Sequence, residues 1–418
     1  MSEVIPGGWS AHELEDLMLK IEGGGTPSRA NPAFWNGSIP WATVKDLKGM
    51  RLSFTEESIT ESGVSASASR LVPANTPIIA TRMAVGKVVV FDKTVAINQD
   101  LKAIYPSQRL DAEFFLQWYL ENSEKIANLA TGSTVKGIRL EILRSLPLTL
   151  PPLPEQQKIA TILSSVDDVI EKTRAQIDKL KNLKTGMMQE LLTQGVGHTE
   201  FKDSPLGRIP ASWQVWTLGD LASLVTSGSR GWAEYYSDSG PIFVRIGNLT
   251  REHINLRFED TVHVALPDSA EGKRTQLKEG DVLISITADL GVIGVVNASL
   301  GEAYVNQHIA LVRLKNPVFS RWIGHFLSLG SSQRQFIENN DAGAKAGLNL
   351  PTIKKVLVAL PGDKEQRELV GILDKIDASI VQKAKKLNQV IYLKKSLMQD
   401  LLTGKVRVKV DSPETVAA

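Results

Sequence analysis

The amino-acid sequence predicts an α+β protein with two similar globular domains, joined by two long helices that pair as an antiparallel coiled coil. Three observations predict this fold. The sequence contains two copies of one pattern, each copy begins with short apolar segments separated by glycine, proline and asparagine, and each copy ends in a long segment with a narrow apolar seam. Two equivalent copies in one chain are expected to be related by internal pseudo-twofold symmetry.

The internal repeat is the most direct of these observations. Four segments of the first half match four segments of the second half in the same order, at an offset that drifts only from 204 to 210 residues. One repeat of this length indicates duplication of a whole domain rather than a solenoid. The matching pairs are IPGGWSAHELEDL (5–17) with IPASWQVWTLGDL (209–221), AINQDLKAIYP (96–106) with YVNQHIALVRL (304–314), LPPLPEQQKIATILSSVDDVI (150–170) with LPGDKEQRELVGILDKIDASI (360–380), and LKTGMMQELLT (183–193) with LKKSLMQDLLT (393–403).

The first part of each copy has the pattern of a β-rich domain. Short apolar runs such as 77–91 and 282–296 are interrupted by turn-forming residues, which is typical of strands. A shorter helical insert is predicted at 111–130, and its counterpart is predicted at 320–338.

Each copy then ends in a predicted helix of ~35–40 residues, which is ~55–60 Å long at 1.5 Å per residue. The apolar residues follow steps of three, four or seven, which indicates a coiled-coil seam. Packing of each helix on its own globular domain is the alternative, but two long, seamed and similarly placed helices favour pairing. The seam residues are Ile159, Ile162, Val166, Ile170, Ile177, Leu180, Met187 and Leu191 in the first helix, and Leu373, Ile376, Ile380, Leu387, Val390, Leu397 and Leu401 in the second.

These elements divide the chain into an alternating series of globular and helical regions. We predict globular domains at 1–150 and 201–360, helical regions at 151–200 and 361–410, and a flexible tail at 411–418.

Composition excludes several classes of protein. The chain of 418 residues has no cysteine, so disulfides, thiolate metal sites and a cysteine nucleophile are excluded. No signal-peptide pattern opens the sequence, and no apolar run approaches the ~20 residues that a membrane helix needs. We therefore expect a cytoplasmic protein without a membrane partner. The net charge is only +2, so a basic DNA-binding face would have to arise from how charges are arranged in three dimensions.

The stretch GGGTPSRANPAFWNGSIPW at 23–41 suggests two enzymatic motifs, and neither is supported. A phosphate-binding loop needs further glycine or Gly-Lys-Ser/Thr at set spacing, but Pro27 follows the glycines almost at once. The Asn-Pro-x-aromatic turn of amino-methyltransferases needs a cofactor-binding glycine motif, which neither copy contains. The six histidines show no metal-ligand spacing. We predict no catalytic and no metal-binding residues, although acid–base pairs assembled by folding remain open.

Several segments in their order resemble the specificity (S) subunits of type I restriction-modification systems over nearly the whole chain. They are the stretch at 23–41, NQDLKAIYP, LPLTLPPLPEQQKIATIL, LKTGMMQELLTQG, GHTEFKDSPLGRIPASW and the terminal LLTGKVRVKV. The second half departs from the pattern, with TSGSRGWAEYY and LPGDKEQ in place of EGGGTPSRANPAFW and PPLPEQ. This difference suggests that the two domains read different sequences.

The resemblance implies a DNA sequence-recognition subunit without catalytic activity. Each globular domain would be a target-recognition domain that reads one half of a bipartite, asymmetric site in double-stranded DNA. The helices would set the spacer and dock two methyltransferase (M) subunits, and restriction/translocase (R) subunits would join for cleavage. No cofactor is expected in this chain, and S-adenosylmethionine is expected in the methyltransferase partner.

Loop residues able to bind phosphates or base edges are the candidate DNA contacts. Each could equally be an ordinary surface or turn residue, and the repeated Asn-Gln pairs could form a buried hydrogen-bonded turn. For Trp35 and Trp41, core packing is favoured over a base contact. The candidates are Thr26, Ser28, Arg29, Lys45, Arg82, Asn98, Gln99 and Lys136 in the first domain, and Ser229, Arg230, Arg245, Asn248, Thr287, Asn306, Gln307 and Lys345 in the second.

Two other functions remain as alternatives. A non-catalytic two-headed scaffold could bind protein or polysaccharide ligands, and it would show no salt-dependent affinity for duplex DNA. A stand-alone methyltransferase would have to bind S-adenosylmethionine by itself.

Overall fold

The computed structural model describes residues 5–132, 135–228, 231–266, 270–338 and 347–410. The chain forms two compact units, and each combines one predicted globular domain with parts of both long helices. The first unit contains Met1–Lys172 and Leu387–Ala418, and the second contains Thr173–Lys386. The predicted tail at 411–418 lies outside the described residues.

The strands of the first unit are mostly short, and the apolar ones are central. Val88–Phe91 is buried at every position, as expected for a strand covered on both faces. The strands are β1 (Ser10–Glu13), β2 (Met18–Gly23), β3 (Trp35–Ala42), β4 (Arg51–Leu52), β5 (Glu57–Ile59), β6 (Arg70–Val72), β7 (Ile78–Ala80), β8 (Val88–Phe91), β9 (Val95–Ile97), β10 (Leu101–Pro106) and β11 (Pro147–Leu150).

In the described part of the chain before the first long helix there are four α-helices. The side chain of Asp111 caps the second of them, because it accepts a hydrogen bond of 2.9 Å from the backbone N–H of Phe114. The helices are α1 (Glu61–Ser65), α2 (Ala112–Glu121), α3 (Ser123–Asn128), α4 (Leu140–Arg144) and the long α5 (Leu153–Gln194). The predicted helical insert at 111–130 is therefore confirmed as α2 and α3.

The second unit repeats this order of elements after an additional hairpin, β12–β13. Its strands are β12 (Phe201–Ser204), β13 (Gly207–Pro210), β14 (Gln214–Thr217), β15 (Ala222–Ser227), β16 (Tyr236–Val244), β17 (His263–Val264), β18 (Val282–Ser285), β19 (Ile293–Val295), β20 (Ala303–Val305), β21 (Ile309–Leu314) and β22 (Leu357–Leu360). Its helices are α6 (Leu218–Leu221), α7 (Ala270–Thr275), α8 (Ser320–Ser328), α9 (Gly330–Glu338), α10 (Leu350–Lys355) and the long α11 (Asp363–Leu402). The insert predicted at 320–338 is confirmed as α8 and α9.

The sheets of the two units share a common strand order, and among the described residues each sheet of the first unit has one additional edge strand, β4 or β6. The first unit contains β2-β10-β7-β8-β4, β5-β3-β9-β6 and the pair β1-β11. The second contains β15-β21-β18-β19, β17-β16-β20 and the pair β14-β22. In both, one strand pair of the smaller sheet is parallel, β3 with β9 and β16 with β20. The repeat that the sequence predicts is therefore a repeat of strand connectivity.

The long helices pair with each other, as the seam predicts. In the first unit Lys394 Nζ lies 2.7 Å from Asp167 Oδ1, and in the second Lys184 Nζ lies 2.7 Å from Asp377 Oδ1. The pair that lies later in α5, at residue 184, lies earlier in α11, at residue 377. The two helices are therefore antiparallel. All fifteen predicted seam residues are buried or half-buried.

The ends of the long helices also pack on the β-rich parts of the units. The first turns of α5 and the last turns of α11 do so in the first unit, and the first turns of α11 do so in the second. Ile159 and Leu163 of α5 lie in the apolar core of the first unit together with Leu401 of α11. Leu369 and Leu373 of α11 lie in the corresponding core of the second unit. Among the described residues, no helix has a stretch apolar and long enough to span a bilayer.

Candidate nucleic-acid interface

Two connections between strands meet at one end of the first unit's main sheet. The first joins β7 to β8 and the second joins β9 to β10. The backbone N–H of Thr81 donates to the carbonyl oxygen of Asp100 at 2.8 Å, and the Thr81 hydroxyl donates to the same oxygen at 3.1 Å. We call residues 81–87 and 98–100 together the first double turn.

The buried side chain of Asn98 stabilises this double turn through hydrogen bonds to Asp100. Its Oδ1 accepts a hydrogen bond of 3.1 Å from the backbone N–H of Asp100. Its Nδ2 donates to Asp100 Oδ2 at 3.2 Å. Asn98 therefore lies in the buried hydrogen-bonded turn that the sequence left open as an alternative, whereas the neighbouring Gln99 side chain is exposed.

The glycine-rich loop at 23–25 packs against the double turn. The backbone N–H of Gly25 donates to the carbonyl oxygen of Ile97 at 3.1 Å. A Cβ on Gly24 would collide with that same carbonyl group, so glycine is required for close approach of two backbones. Beside it, the Thr26 hydroxyl donates to Gln99 Oε1 at 2.6 Å. These glycines form a structural loop, in agreement with rejection of the phosphate-loop interpretation.

Two cationic side chains lie against the first double turn, and a third basic residue, Lys136, contacts it through its backbone. Arg82 Nη1 lies 3.5 Å from Asp100 Oδ1, and Lys102 Nζ donates to the carbonyl oxygen of Gln99 at 2.8 Å. Burial lowers the pKa of Lys102, partly offset by the nearby Asp100 carboxylate. The carbonyl of Lys136 accepts a hydrogen bond of 2.9 Å from the backbone N–H of Met83. The structure thus brings together five of the predicted residues, which are Thr26, Arg82, Asn98, Gln99 and Lys136.

Arg29 belongs to a second group of side chains in the first unit. Its guanidinium stacks 3.7 Å from the centroid of the Trp35 ring and forms a bidentate ion pair with Glu57, in which Nη2 lies 2.8 Å from Oε2. The hydrogen bond with Glu57 raises the pKa of Arg29 and lowers the pKa of Glu57. Lys45 is exposed in a short 3-10 turn at Val44–Asp46.

Trp35 and Trp41 stabilise the loop that carries Arg29 through hydrogen bonds to its backbone. Trp41 Nε1 donates to the carbonyl of Gly25 and Trp35 Nε1 to that of Ser28, both at 3.1 Å. Trp41 is 2% exposed, and its ring meets that of Trp35 edge-on at 5.1 Å. Trp41 therefore packs in the core, as the sequence favours, while Ser28 remains exposed at the loop.

The second unit contains the equivalent double turn at residues 286–292 and 306–308. The backbone N–H of Ile286 donates to the carbonyl of His308 at 2.9 Å, and buried Asn306 accepts from the N–H of His308 at 3.2 Å. We call residues 82–83 and 99–100 the tip of the first double turn, and residues 287–288 and 307–308 the tip of the second. The side chains at the two tips differ. Thr287 Oγ1 lies 2.9 Å from His308 Nδ1, and Gln307 Nε2 lies 3.1 Å from His308 Nε2. Thr287 and His308 occupy the positions of Arg82 and Asp100.

The remaining candidates of the second unit lie elsewhere or outside the described residues. Asn248 is buried, and its Oδ1 accepts a hydrogen bond of 2.8 Å from the N–H of Arg245. Arg245 Nη2 lies 2.9 Å from Asp260 Oδ2. Ser229, Arg230 and Lys345 lie outside the described residues.

Four residues at or near these sites were missed by sequence reasoning. His308 and Lys102 follow the Asn-Gln pairs closely, so the repeated motif could have indicated them. Arg274, whose Nη1 donates to the carbonyl of Ser227 at 2.6 Å, and Met83, which is 69% exposed, carry no sequence signal.

One group in the second unit has the residue types of a metal site. Among the described residues, His325, Asp374 and Asp377 offer ligand atoms within 4.8 Å of one another. Arg321 Nη2 lies 2.6 Å from Asp374 Oδ1, and Lys184 Nζ lies 2.7 Å from Asp377 Oδ1. Because two cations already balance two carboxylates, this group is an ion-paired junction between helices rather than a metal centre.

The sequence matches the family model described as the type I restriction modification DNA specificity domain twice, over residues 6–182 and 210–392. The putative MjaX specificity subunit of Methanocaldococcus jannaschii is 26% identical over 97% of this chain and 95% of its own length. The MjaIX specificity subunit of the same organism is 29% identical over 59% of each chain, so the match spans less than two thirds of that relative.

A solved structure described as the S subunit of a type I restriction-modification system from M. genitalium has the same fold. Its TM-score is 0.65 at 17% identity, with 96% of this chain and 98% of that chain covered. A second structure, from work on complex assembly and conformational transition of the type I R-M system, has a TM-score of 0.50 at 16% identity. It covers 96% of this chain and 100% of that chain.

Proposed function

Because the chain belongs to the family of type I restriction modification DNA specificity domains, we propose that it is the non-catalytic DNA-recognition subunit of a type I restriction-modification complex. Each unit would carry a target-recognition domain that reads one half of a bipartite, asymmetric site in double-stranded DNA. The helices α5 and α11 would set the spacer between the half-sites and dock methyltransferase subunits.

The double turn carries this proposal. One backbone hydrogen bond is the same in both units, with the N–H of residue 81 or 286 donating to the carbonyl of residue 100 or 308. Its tip presents Arg82 and Asp100 in the first unit but Thr287 and His308 in the second. An asymmetric, two-part site needs one scaffold presented twice with different hydrogen-bonding groups.

The side chains at these tips suit recognition of the major groove. An arginine can donate two hydrogen bonds to the O6 and N7 of guanine, and a glutamine can pair with the edge of adenine. Asp100, 3.5 Å from Arg82, would restrict the directions in which the guanidinium points. Lys136 and Lys45 are exposed and suit phosphate contacts, which set register without reading sequence.

The paired helices suit the role of a spacer. Both α5 and α11 contribute residues to both units, and α5 alone has 42 residues, or about 63 Å. The ion pairs Asp167–Lys394 and Lys184–Asp377 hold the register of the two helices. A change in the length of the paired segment should therefore change the spacing between half-sites.

Partners would bind the helices and supply the chemistry. Tyr392 and Leu393 of α11 are exposed apolar residues, and Leu183 of α5 is exposed at the position equivalent to Leu393. We propose that two methyltransferase subunits dock there and bring S-adenosylmethionine, and that restriction/translocase subunits join for cleavage.

The direct test is methylation mapping in cells that express this chain with its methyltransferase partner, by sequencing that detects modified adenine. We expect a split motif with two defined halves around a fixed unread spacer. Cells that express the methyltransferase alone are the control. No new modification with an active methyltransferase would reject DNA recognition and favour a scaffold for a non-DNA ligand.

A second test asks whether the halves are separable. Replacing residues 1–145 with the first domain of another family member should change one half-site and leave the other unchanged. A change in both half-sites would contradict the assignment of one half-site to each unit.

A further inference from the structure

Met83 is an apolar side chain at the tip of the first double turn, where the surrounding side chains are polar. It is 69% exposed, and it follows Arg82 directly. Isolated exposed apolar residues are common on protein surfaces, so exposure alone indicates nothing. The backbone at Met83 provides the second observation.

The backbone of Met83 is in the left-handed region, with a φ of 63°. The N–H of Ala84 donates to the carbonyl of Arg82 at 2.7 Å, which closes a three-residue turn around Met83. A turn of this kind with positive φ at its centre is rare and strained, and glycine would adopt it at lower cost. The equivalent residue of the second unit, Ala288, has a φ of 58°. The positive φ at this position is therefore common to both units.

The tip is held in place by a neighbouring loop. The N–H of Met83 donates to the carbonyl of Lys136 at 2.9 Å, and Gly137 pairs with Arg82 and with Thr131 in isolated β-bridges. A strained residue that its surroundings hold in one conformation is typical of functional sites. The side chain of Met83 is thus presented outward from a fixed backbone.

The charges near Met83 favour a polyanion. Arg82 and Lys102 contact the double turn with their side chains, Lys136 is exposed on the neighbouring loop, and Asp100 is the acidic residue that pairs with Arg82. These three basic residues outnumber the one carboxylate that pairs with Arg82, which favours a negatively charged ligand beside the apolar tip. This combination suits duplex DNA, whose major groove contains an apolar group, the C5-methyl of thymine, between two rows of phosphates.

We propose that Met83 determines specificity in the first target-recognition domain by contacting the C5-methyl group of a thymine in the major groove. The inference rests on the proposed function. Methionine suits this contact because its side chain is unbranched, long and polarizable. Ala288 places a much shorter apolar group at the equivalent position, so the second half-site lacks an equally strong methyl contact there.

The test uses the assembled complex with its methyltransferase and a duplex that carries the mapped site. Each thymine of the first half-site is replaced in turn by deoxyuridine, which removes only the C5-methyl group. For the natural protein we expect one such replacement to weaken binding about fourfold, the effect of losing one buried methyl contact. Met83→Ala should bind the two duplexes equally well.

Two further variants distinguish loss of the contact with thymine from a general loss of folding. Met83→Gly relieves the backbone strain, so it should fold at least as well as the natural protein and still lose the preference for thymine. Leu19→Ala is the matched control, because Leu19 is an equally exposed apolar residue of the same unit, at 74%, and it should keep the preference.

The outcomes distinguish this inference from the proposed function. A complex that binds no bipartite DNA rejects the function and the inference with it. A complex that binds its site, but whose binding no deoxyuridine replacement weakens, overturns only the inference. A thymine preference that persists in Met83→Ala and Met83→Gly also overturns it.

Discussion

Lys184 and Asp377 form a buried ion pair between α5 and α11, with Nζ 2.7 Å from Oδ1 and with side chains that are 9% and 0% exposed. The same contact recurs between Lys394 and Asp167, also at 2.7 Å. A shift of 210 residues converts one pair into the other and exchanges the helices. The two helices therefore meet in the register that a pseudo-twofold relation between them requires.

Removing one partner of the buried pair should destabilise the second unit. Asp377→Ala leaves the Lys184 ammonium without its carboxylate, and such losses cost about 3–5 kcal/mol. Denaturant unfolding measures the loss. Asp167→Ala should cost less because that pair is more exposed, and Lys383→Ala, which removes a surface contact with Gln176, is the control. Equal losses of unfolding free energy in all three variants would contradict the view that burial makes the Lys184–Asp377 pair more important for stability.

The second prediction concerns pH. Burial lowers the pKa of His325 below 6.5, although Asp374 and Asp377 of α11 oppose the shift, while Lys184 of α5 acts with burial. Arg321, on the same helix as His325, binds Asp374. As pH falls, this histidine binds a proton in the unfolded chain at a higher pH than in the folded protein. The free energy of unfolding should therefore be greatest above pH 6.5 and should decrease as pH falls through the pKa of the folded state.

His325→Gln should flatten this dependence. Glutamine already occupies the equivalent position in the first unit, where Gln117 Nε2 donates to Asp167 Oδ2 at 2.9 Å. Thermal unfolding between about pH 7.5 and about pH 5 compares the two proteins across the range in which a histidine titrates. A pH dependence that is the same in the variant would show that His325 is not the group responsible.

Gly24→Ala should displace the loop that carries Thr26 and Arg29. The added Cβ collides with the Ile97 carbonyl, and overpacking of this kind costs about 1–3 kcal/mol. DNA affinity through the first half-site should fall, as measured with duplexes altered in one half at a time. Gly186→Ala is the control, because an added Cβ there would have no atom of the described residues within 4 Å apart from the helix's own backbone. In the interior of α5 this change should raise the free energy of unfolding by about 0.5–1 kcal/mol.

Exchange of the tip side chains should change recognition in one unit only. The double variant Arg82→Thr and Asp100→His transfers the polar pair of the second unit to the first. We expect methylation mapping to reveal altered bases in one half-site, with the spacer and other half-site unchanged. Lys20→Ala, which removes a surface cation paired with Glu22, should leave the target unchanged. An unaltered target for the exchanged pair would mean that these side chains do not read bases.

Lengthening both helices should lengthen the spacer. One heptad inserted in α5 between Asp167 and Lys184, with another in α11 between Asp377 and Lys394, preserves the seam and both ion pairs. Seven residues add about 10 Å of helix, or about three base pairs of duplex. Methylation mapping should show a longer spacer between unchanged half-sites. Altered half-sites with the original spacer would contradict the role of the helices.

The sequence by itself determined the features that depend on local periodicity and on duplication. The seam from Ile159 to Leu191 predicts a paired helix because side chains three, four and seven residues apart share one face. The repeat predicts two equivalent folds because matching sequences fold alike. The glycine loop could be recognised as structural because it lacked the rest of a phosphate-binding motif.

Only the tertiary structure decided which polar side chains meet. Arg82 lies beside Asp100, and Thr287 beside His308, because strand order brings together turns that are about twenty residues apart along the chain. Gly24 is required because Ile97, on another strand, approaches its backbone. The backbone of Met83 is fixed by a hydrogen bond to Lys136, which lies on a segment distant along the chain. Such contacts depend on the topology of the sheets, and no local pattern of residues encodes them.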